Sequence, residues 1–411
     1  MVDAAASFDG NRVAANEAPA RPAQVRHDDL TVIVTTGSAG LADYAQFCAS
    51  ALFAPAQSAS WVSNWAAAID ADIAVGTLSI GGRPALSLAL EIVRRGPFKV
   101  ARFAGGRHAN GNFAAADPRF LPAIDNAAIG SLFASIHKAR PDVDLIALER
   151  LLPDLDGVAN PLAAMPNFTS PNLALAVDLD GGFDALLSRA SGKRKRKKHR
   201  SQTRKFEAVG PFRRIEARTP EEVDRLLGAF FEMKESRFAK MGIADVFSDK
   251  PVRAFFRALF ADALAEERPS FLLHGLEVAG KLRAVTGSSR SGKRLICEFG
   301  AIAEDDLAFT SPGDFLFFDN IQEACELGFA VYDFSVGDEP YKRLWCDIEI
   351  QHFELLAPLT LKGRALAAAL RQGTRAKAFI KNNPTAWKLT KMLRRKTAGQ
   401  AAAAPAAEDD N

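Results

Sequence analysis

The stretch that decides the fold is residues 270–301, SFLLHGLEVAGKLRAVTGSSRSGKRLICEFGA. Two mainly apolar runs with strand character, 270–278 and 282–288, flank a turn that contains Gly280. A short basic link with a glycine then leads to a third run, 294–299. Glycine supplies the backbone freedom that tight turns need. The pattern therefore predicts three consecutive antiparallel strands.

A second copy of this pattern lies earlier in the chain, in residues 72–105, DIAVGTLSIGGRPALSLALEIVRRGPFKVARFAG. Three strand-like runs are again separated by a glycine turn, here at Gly82, and by a basic link with a glycine. Repetition on this scale indicates two similar structural units in one chain. The turn at Gly82 then corresponds to the turn at Gly280. The predicted strands of this copy are 72–80, 85–93 and 98–103.

Each copy is followed by a helix pattern and then by another strand pattern. Apolar residues at helical spacing predict helices over 127–138 and 315–327, with strands after them at 143–148 and 329–335. This order predicts an α/β (α+β) fold of two lobes, each a mixed, mostly antiparallel sheet flanked by helices. Two α/β domains unrelated to each other would also fit it.

Length and composition fit a two-lobed globular chain. The 411 residues include 48% hydrophobic and 25% charged side chains, which is typical of globular domains. Additional helices are predicted at 183–208, 220–241 and 251–267. The predicted organisation is a disordered N-terminal segment (1–29), an N-terminal lobe (30–180), a C-terminal lobe (181–361), and a basic helical extension with a disordered tail (362–411).

Several classes of protein are disfavoured by the sequence. The longest apolar runs, such as 365–370, are far shorter than the roughly 20 residues that cross a bilayer, and the N-terminus has no signal-peptide pattern. Four cysteines without CxxC spacing and six scattered histidines predict no metal site and fit reduced thiols in the cytoplasm. Because the formal net charge is only +3, basic residues are informative only where they cluster.

Three segments of the second half resemble a known family. They are a basic helix over 193–205, the tripeptide Ser311-Pro312-Gly313 ahead of a helix, and residues 331–345, VYDFSVGDEPYKRLW. With them, residues 183–363 resemble the GNAT-type acetyltransferases that include CelD-like proteins of bacterial cellulose biosynthesis. That family is related to the FemABX transferases, which contain two GNAT units in tandem. The resemblance implies two GNAT-like lobes, with an acyltransferase site in the second.

The resemblance implies acetyl-CoA or another acyl-CoA as the donor, with no metal. The corresponding pyrophosphate loop, 303–313, has one glycine, whereas GNAT enzymes usually carry a Gly-rich motif there, so another activated donor stays open. A helix start offers free N–H groups and a positive dipole end to phosphates, although a capped helix without a ligand fits equally well. The predicted cofactor-binding residues are Ser311 as N-cap, Pro312, Gly313 and Asp314.

Acyl transfer to an amine needs a group that removes a proton, and two strand carboxylates are candidates. Glu298 and Asp333 lie in apolar strands, where an ionised carboxylate is costly unless it is paired or functional. Alternation places Glu298 on the face of Ile296. A salt bridge to a neighbouring Lys or Arg is the alternative for Glu298. By resemblance, Tyr341 is the candidate acid for the leaving thiolate, and its alternative is packing that anchors Lys342.

Candidate acceptor contacts lie in both halves. The polar loop 106–112 follows a strand end, so its His108 and Asn110 are predicted to contact the acceptor together with Lys342, and a plain turn is the alternative. The basic run 193–200, KRKRKKHR, fits a solvated helix face or contact with an anionic substrate, a lipid surface or a CoA phosphate. It lacks the interleaved aromatics that would indicate nucleic acid.

The function predicted from these features is acyl-CoA-dependent N-acylation of a polar small-molecule or glycan-precursor acceptor. The resemblance implies polysaccharide or envelope biosynthesis as the setting. One alternative is a FemABX-like transfer of aminoacyl groups from tRNA, in which the basic helix contacts the tRNA. Another is a non-catalytic scaffold of a polysaccharide-synthesis assembly. The predicted location is the cytoplasm, with peripheral membrane contact through the basic segments, and the sequence does not specify an oligomeric state.

Overall fold

A single 13-stranded β-sheet runs through the part of the chain that this computed structural model describes, residues 29–189 and 191–382. Its pairings are mostly antiparallel, and helices flank it, so the predicted fold class is confirmed. The strands are β1 (Leu30–Thr36), β2 (Ile73–Ile80), β3 (Arg83–Arg95), β4 (Phe98–Phe103), β5 (Ala115–Ala116), β6 (Leu145–Leu151), β7 (Asp154–Leu155), β8 (Val158–Ala159), β9 (Asn167–Asp178), β10 (Phe212–Glu216), β11 (Phe271–Val278), β12 (Lys281–Ser291), β13 (Arg294–Ile302), β14 (Val331–Val336) and β15 (Ile348–Pro358).

The order across the sheet is β1-β2-β3-β4-β6-β15-β9-β14-β13-β12-β11-β10, with β5 beside β3, while β7 and β8 form a separate pair. Only the β4–β6 and β13–β14 pairings between these strands are parallel. The helices are α1 (Gly37–Cys48), α2 (Ala59–Ile69), α3 (Asn126–Ala139), α4 (Gly182–Arg189), α5 (Gly192–Val209), α6 (Pro220–Met241), α7 (Lys250–Ala263), α8 (Pro312–Glu326), α9 (Pro340–Arg343) and α10 (Leu361–Asn382). None of the described helices is long and apolar enough to cross a membrane.

The chain contains two repeat units with the same order of elements. The first unit runs β1-α1-α2-β2-β3-β4-α3-β6-β9, and the second runs β10-α6-α7-β11-β12-β13-α8-β14-β15. The hairpin turns at Gly82 and Gly280 occupy the same place in the two units, and both glycines have positive φ angles. That conformation is easily adopted by glycine alone, which explains why the repeat is visible in the sequence.

The last strands of the two units are exchanged. β9 ends the first unit but pairs with β14 of the second, with Val177 opposite Tyr332. β15 ends the second unit but pairs with β6 of the first, with Ala147 opposite Leu356. The two exchanged strands also pair with each other, which joins both halves into one sheet. The boundary predicted near residue 180 therefore separates β9 from one of its neighbours in the sheet.

Aromatic side chains form the contact between the units on one face of the sheet. The equivalent helices α2 and α7 pack together there, because the rings of Trp61 and Trp65 both lie edge-on against Phe255, at centroid distances of 4.9 and 5.0 Å. All three side chains are buried. Burying side chains of this size is worth about 1.5–3 kcal/mol each, so this contact is a major link between the units.

Two predicted segments differ from the structure. The predicted helix 183–208 is two helices, α4 and α5, and Ser191 at the start of α5 has a left-handed backbone with φ of 56°. The basic extension does form a helix, α10, which is described as far as Asn382. The segments predicted to be disordered, 1–29 and the tail of 362–411, lie almost wholly outside the described residues.

The strand exchange predicts that neither half of the chain folds alone. Residues 30–180 expressed without the rest would lack β15, and residues 181–411 would lack β9, so each fragment would expose unpaired strand edges. We expect both fragments to aggregate when expressed singly and to form a soluble complex when co-expressed, as measured by soluble yield and gel filtration. A single fragment that melts cooperatively as a monomer would contradict the exchange.

Candidate functional site

The central feature of the second unit is an opening in the sheet between β13 and β14. The two strands pair over only three residue pairs, from Arg294↔Val331 to Ile296↔Asp333, although both continue further. Pairing of β13 with β12 also shifts register at this point, and Glu298 is the residue left without a partner. A β-bulge of this kind bends and twists its strand. Beyond Ile296 and Asp333 the facing edges of β13 and β14 no longer pair with each other, although β13 stays paired with β12 as far as Ile302.

Glu298 lies at the bulge and is a candidate base. Its carboxylate accepts a hydrogen bond of 2.6 Å from Ser289, and no Lys or Arg among the described residues forms an ion pair with it. The pKa of Glu298 is raised to about 7, mainly by desolvation and also by the negative charge of Asp333, while Ser289 lowers it. A carboxyl group with this pKa can accept a proton near neutral pH.

The bulge also corrects the predicted alternation along β13. Phe299 follows Glu298 and packs into the aromatic core, with ring centroids 4.3 Å from Phe230 and 5.4 Å from Phe256. Cys297, two residues before Phe299, belongs instead to the core around Tyr332. Strict alternation would place these two residues on one face, so the bulge reverses the faces at Glu298.

Asp333 is paired, unlike Glu298. Its carboxylate forms an ion pair of 2.9 Å with Arg294 and accepts a hydrogen bond of 2.6 Å from the backbone N–H of Ser335. Burial raises the pKa of Asp333, and the charge of Arg294 opposes that rise. These contacts fix the geometry of β14, and they leave Glu298 as the better placed of the two predicted bases.

Tyr341 and Lys342 have different environments despite being neighbours. The Tyr341 ring stacks on Phe317 at 5.7 Å and remains 42% exposed, and burial of its hydroxyl raises the pKa, so the group stays protonated at neutral pH. Lys342 is buried, donates to the carbonyl of Val336 at 3.0 Å and pairs with Glu339 at 3.0 Å. The predicted substrate contact through Lys342 is therefore replaced by an anchoring role for its side chain.

Lys234 of α6 is a site residue that the sequence did not reveal. Its ammonium lies over the rings of Phe230 and Phe238 at 5.8 and 5.5 Å. Burial and the positive charge of Arg237 lower the pKa of Lys234. Burial raises the pKa of the Cys297 thiol on β13, and the charge of Lys234 in turn opposes that rise. This places a cation of α6 beside the opening. In the sequence, Lys234 is only one of several charged residues on a long helix, without a distinguishing signal.

The start of α8 differs from the predicted anion site. Ser311 occupies the N-cap position, but its backbone is left-handed, with φ of 58°, and its side chain makes no capping bond. Its carbonyl instead accepts from the N–H groups of Asp314 and Phe315, at 3.0 and 3.3 Å, so these two groups are not free. Gln202 of α5 donates to the same carbonyl at 3.0 Å.

Gly313, two residues after Ser311, lies close to the end of β13. A Cβ at this position would lie 2.7 Å from the side chain of Ile302, a contact that real Cβ atoms do not make. Pro312 before it is buried. Gly313 was predicted to bind the cofactor, and the structure adds a packing reason for glycine at this position.

A basic cleft of about 640 Å³ lies between α5 and the start of α8. Asp314 is the only acidic residue that lines the cleft, and its carboxylate forms an ion pair of 2.9 Å with Lys198. The ammonium of Lys195 lies over the Trp345 ring, 4.7 Å from its centroid. Arg194, Lys197 and Lys205 form no ion pair with a carboxylate among the described residues. The lining residues with a positive charge are Arg194, Lys195, Lys197, Lys198 and Lys205.

His108 and Asn110 are not exposed acceptor contacts in this structure. The His108 ring packs against Phe247 and Phe256 of the second unit, at 5.1 and 5.5 Å, and burial lowers its pKa to about 4. The Asn110 side chain accepts a hydrogen bond of 2.6 Å from Arg150. His108 therefore belongs to the contact between the units, and Asn110 holds Arg150 within the first unit.

One cluster among the described residues could hold a cation, namely Glu216, His274 and Glu323, whose ligand atoms lie within 4.8 Å of one another. Arg214 already forms a two-pronged ion pair with Glu323. Burial, together with Arg214 and Arg290, lowers the pKa of His274. The guanidinium neutralises the carboxylate that a metal would need, so we assign this cluster to packing.

Comparison with known proteins shows a family similarity within the second unit. Residues 193–343 match the family model of the acetyltransferase (GNAT) domain. The matched stretch runs from α5 to α9 and includes Glu298, the β13–β14 opening and the start of α8. The second unit is therefore similar to GNAT acetyltransferase domains over this stretch. The chain matches none of the curated proteins.

Several solved structures align with most of the chain, and FemX shares its fold. FemX aligns with 82% of this chain and 99% of its own, with a TM-score of 0.55 and 12% identity. The C-terminal domain of a putative lysylphosphatidylglycerol synthetase from Agrobacterium fabrum aligns with 81% of this chain and 95% of its own, at TM-score 0.47 and 13% identity. A tandem GNAT protein from the clavulanic acid biosynthesis pathway aligns with 80% and 98%, at TM-score 0.42 and 12% identity.

The raised pKa of Glu298 predicts a specific dependence of stability on pH. Unfolding returns its pKa from about 7 to about 4.5, so the stability that Glu298 contributes is fully present below pH 4.5 and is lost as pH rises to 7. Glu298→Gln removes this loss and is expected to raise the melting temperature relative to wild type by roughly 2–5 °C above pH 7. The exposed Glu207 provides the control Glu207→Gln, whose difference from wild type should stay constant with pH. If the difference in melting temperature between wild type and Glu298→Gln were the same at every pH from 5 to 8, the raised pKa of Glu298 would be contradicted.

Proposed function

We propose that the protein is an acyl-CoA-dependent N-acyltransferase whose reaction takes place at the opening between β13 and β14. The observation that carries the proposal is Glu298, a carboxyl group with a pKa near 7 and no basic partner, placed at the point where strand pairing ends. The edge of β13 that faces the opening no longer pairs with β14 after Ile296, and it offers backbone hydrogen bonds to an extended acyl arm. The GNAT match to residues 193–343 supports the same reaction.

The basic cleft between α5 and α8 is the proposed site for the phosphates of CoA. Its five cationic side chains and its volume of about 640 Å³ suit a nucleotide with several negative charges. The cleft adjoins the start of α8, which in turn contacts the end of β13 through Gly313 and Ile302.

The proposed chemistry uses residues on both sides of the opening. The acceptor amine attacks the thioester carbonyl carbon, and Glu298 takes the proton that the nitrogen loses. As the carbon–sulfur bond breaks, Tyr341 donates its hydroxyl proton to the leaving thiolate, since its raised pKa keeps it protonated until then. Backbone N–H groups of the opened strands stabilise the negative charge that develops on the carbonyl oxygen.

We place the acceptor among polar amines of polysaccharide or envelope precursors in the cytoplasm. The support is the resemblance of residues 331–345 to CelD-like proteins. The chain length of the acyl group is left open by this proposal, because the single glycine of the loop 303–313 does not define the donor more narrowly.

A second candidate is transfer of an aminoacyl group from tRNA. The observation in its favour is α5, whose cationic residues continue beyond the cleft onto an exposed face with Arg200 and Arg204. A basic helix of this length could follow a phosphate backbone. CoA, in contrast, would contact only the residues that line the cleft.

Two charge-matched variants of α5 separate these candidates. Arg194→Gln/Lys197→Gln removes two cations from the cleft, and Arg200→Gln/Arg204→Gln removes two from the same helix outside it. By calorimetry, we expect the first variant to raise the Kd for CoA by about tenfold or more, since charge-assisted hydrogen bonds to phosphate are lost. The second variant should stay within about threefold of wild type, because its charges are screened by solvent.

The outcomes of this experiment are distinct. Wild type that binds no CoA or acetyl-CoA at millimolar concentration overturns the acyl-CoA proposal. RNA binding that weakens equally in both variants and falls steeply with salt would favour the aminoacyl alternative.

Replacing the proposed base should affect the reaction more than the donor. Glu298→Gln is expected to lower kcat by about 10²–10⁴-fold while the Kd for CoA changes by less than about threefold. In wild type, kcat/KM should rise with pH through about 7, because only the ionised carboxylate accepts a proton. The assay is release of the CoA thiol in the presence of amino-sugar acceptors. Unchanged kcat in Glu298→Gln would exclude Glu298 as the base.

A further inference from the structure

A second polar cavity lies in the first unit, where β4 and β6 separate. These strands pair only at Val100↔Leu145 and Ala101↔Ile146, and a cavity of about 720 Å³ occupies the space beside them. One carboxylate, that of Glu149, lines this cavity together with five arginines. The arginines are Arg94, Arg95, Arg102, Arg107 and Arg150.

In the repeated order of elements, the β4–β6 opening of the first unit corresponds to the β13–β14 opening of the second. The side chain at the equivalent strand position is basic in the first unit and acidic in the second. Arg102 is the fifth residue of β4, and Glu298 is the fifth residue of β13. Each of these strands enters a short parallel pairing that ends near this residue. The second unit therefore offers a carboxylate at this place, and the first unit offers a guanidinium.

Arg102 is held in a fixed orientation. Its guanidinium pairs at 2.8 Å with Glu91, a buried carboxylate that also accepts a hydrogen bond of 2.8 Å from Trp65. Gly106 leaves room for the guanidinium, because a Cβ at that position would lie 2.7 Å from it. Side chains fixed in advance lose less entropy when a ligand binds.

Arg150 is fixed as well, and without a carboxylate. Its guanidinium donates to the carbonyl of Arg107 at 2.8 Å and to the Asn110 side chain at 2.6 Å. Its backbone has φ of 54° inside β6, a conformation that side-chain-bearing residues rarely adopt. These neutral acceptors take some of the N–H groups of Arg150, but no carboxylate among the described residues forms an ion pair with its guanidinium. Burial and then the charges of Arg107, Arg150 and Arg102 lower the pKa of the neighbouring His108, as expected for a strongly positive surrounding.

We propose that this cavity binds a small organic phosphate, with the arginines of the β4–β6 opening contacting the phosphoryl oxygens. Guanidinium groups match phosphate geometry through paired N–H donors. The five arginines face two carboxylates, Glu149 in the lining and Glu91 behind Arg102, which leaves a net positive charge that a doubly charged phosphate can neutralise. The volume exceeds that of a single phosphate ion and admits the group to which the phosphate is attached.

The cavity is also connected to the second unit. Val246 of the α6–α7 loop lines it, and the adjacent Phe247 packs against His108 at 5.1 Å and against Phe299 at 6.3 Å. Phe299 directly follows Glu298 in β13. We therefore assign the phosphate to the acceptor of the acyl group. That assignment rests on the proposed function, whereas phosphate binding by the cavity does not.

The test uses the full-length chain carrying Arg194→Gln/Lys197→Gln. These substitutions weaken phosphate binding in the basic cleft between α5 and α8, so that the binding measured is that of the first-unit cavity. Into this protein, pyrophosphate, glucose 1-phosphate and citrate are titrated by calorimetry at constant ionic strength. Adding Arg95→Gln/Arg107→Gln removes two exposed cavity arginines that have no ion pair among the described residues. We expect the Kd for both phosphates to rise by about tenfold or more. The exposed Arg83 and Lys138, which lie outside the cavity, supply the matched control Arg83→Gln/Lys138→Gln, which should change the Kd by less than about threefold.

Three outcomes would overturn the proposal: no binding of either phosphate at millimolar concentration, equal losses in the cavity and control variants, or tighter binding of citrate than of both phosphates. CoA binding is measured on the same proteins. Arg95→Gln/Arg107→Gln in the otherwise wild-type chain should leave the Kd for CoA unchanged. Failure of wild type to bind CoA would then concern the proposed function alone, because phosphate binding at the first unit is read separately.

Discussion

The short parallel pairing between β13 and β14 is the constraint on which the candidate site depends. Pairing between β13 and β14 ends after Ile296 and Asp333, and the bulge at Glu298 bends β13, which stays paired with β12 as far as Ile302. If the strands stayed paired, their backbone groups would bond to each other and no extended ligand could enter. The bulge also reverses the faces of β13, which directs Phe299 into the aromatic core.

Strand exchange gives this opening a rigid surrounding. β14 is held on its other side by β9, which comes from the first unit, and β15 joins β9 to β6. An opening in the interior of a sheet would otherwise weaken it, but here each unit closes the sheet of the other. The same architecture places the β4–β6 opening of the first unit and the β13–β14 opening of the second in one continuous sheet. A chain with two such openings of opposite charge can hold two parts of a reaction, an anionic group in one and a base in the other.

The sequence predicted the fold in large part because turn glycines and strand periods are local signals. The hairpins at Gly82 and Gly280, α6 and β4 were all found in this way. The exchange of β9 and β15 was not predictable, since β15 pairs with a strand roughly 200 residues earlier and no local pattern specifies that partner. For the site, a carboxylate in an apolar strand indicated Glu298 as a candidate. The pattern could not show the bulge, the anchoring of Lys342, or the use of the Ser311 carbonyl by α8 itself. Arg102 could have been found by aligning the two repeats, because it stands where Glu298 does.

The most direct test of the account is a crystal structure of the protein with bound acetyl-CoA. The account predicts phosphate density in the cleft between α5 and α8, and an extended arm that passes between β13 and β14 with its thioester beside Glu298. Acetyl-CoA bound elsewhere, with β13 and β14 contacting no part of it, would contradict the central claim that the bulge at Glu298 opens the sheet for acyl transfer.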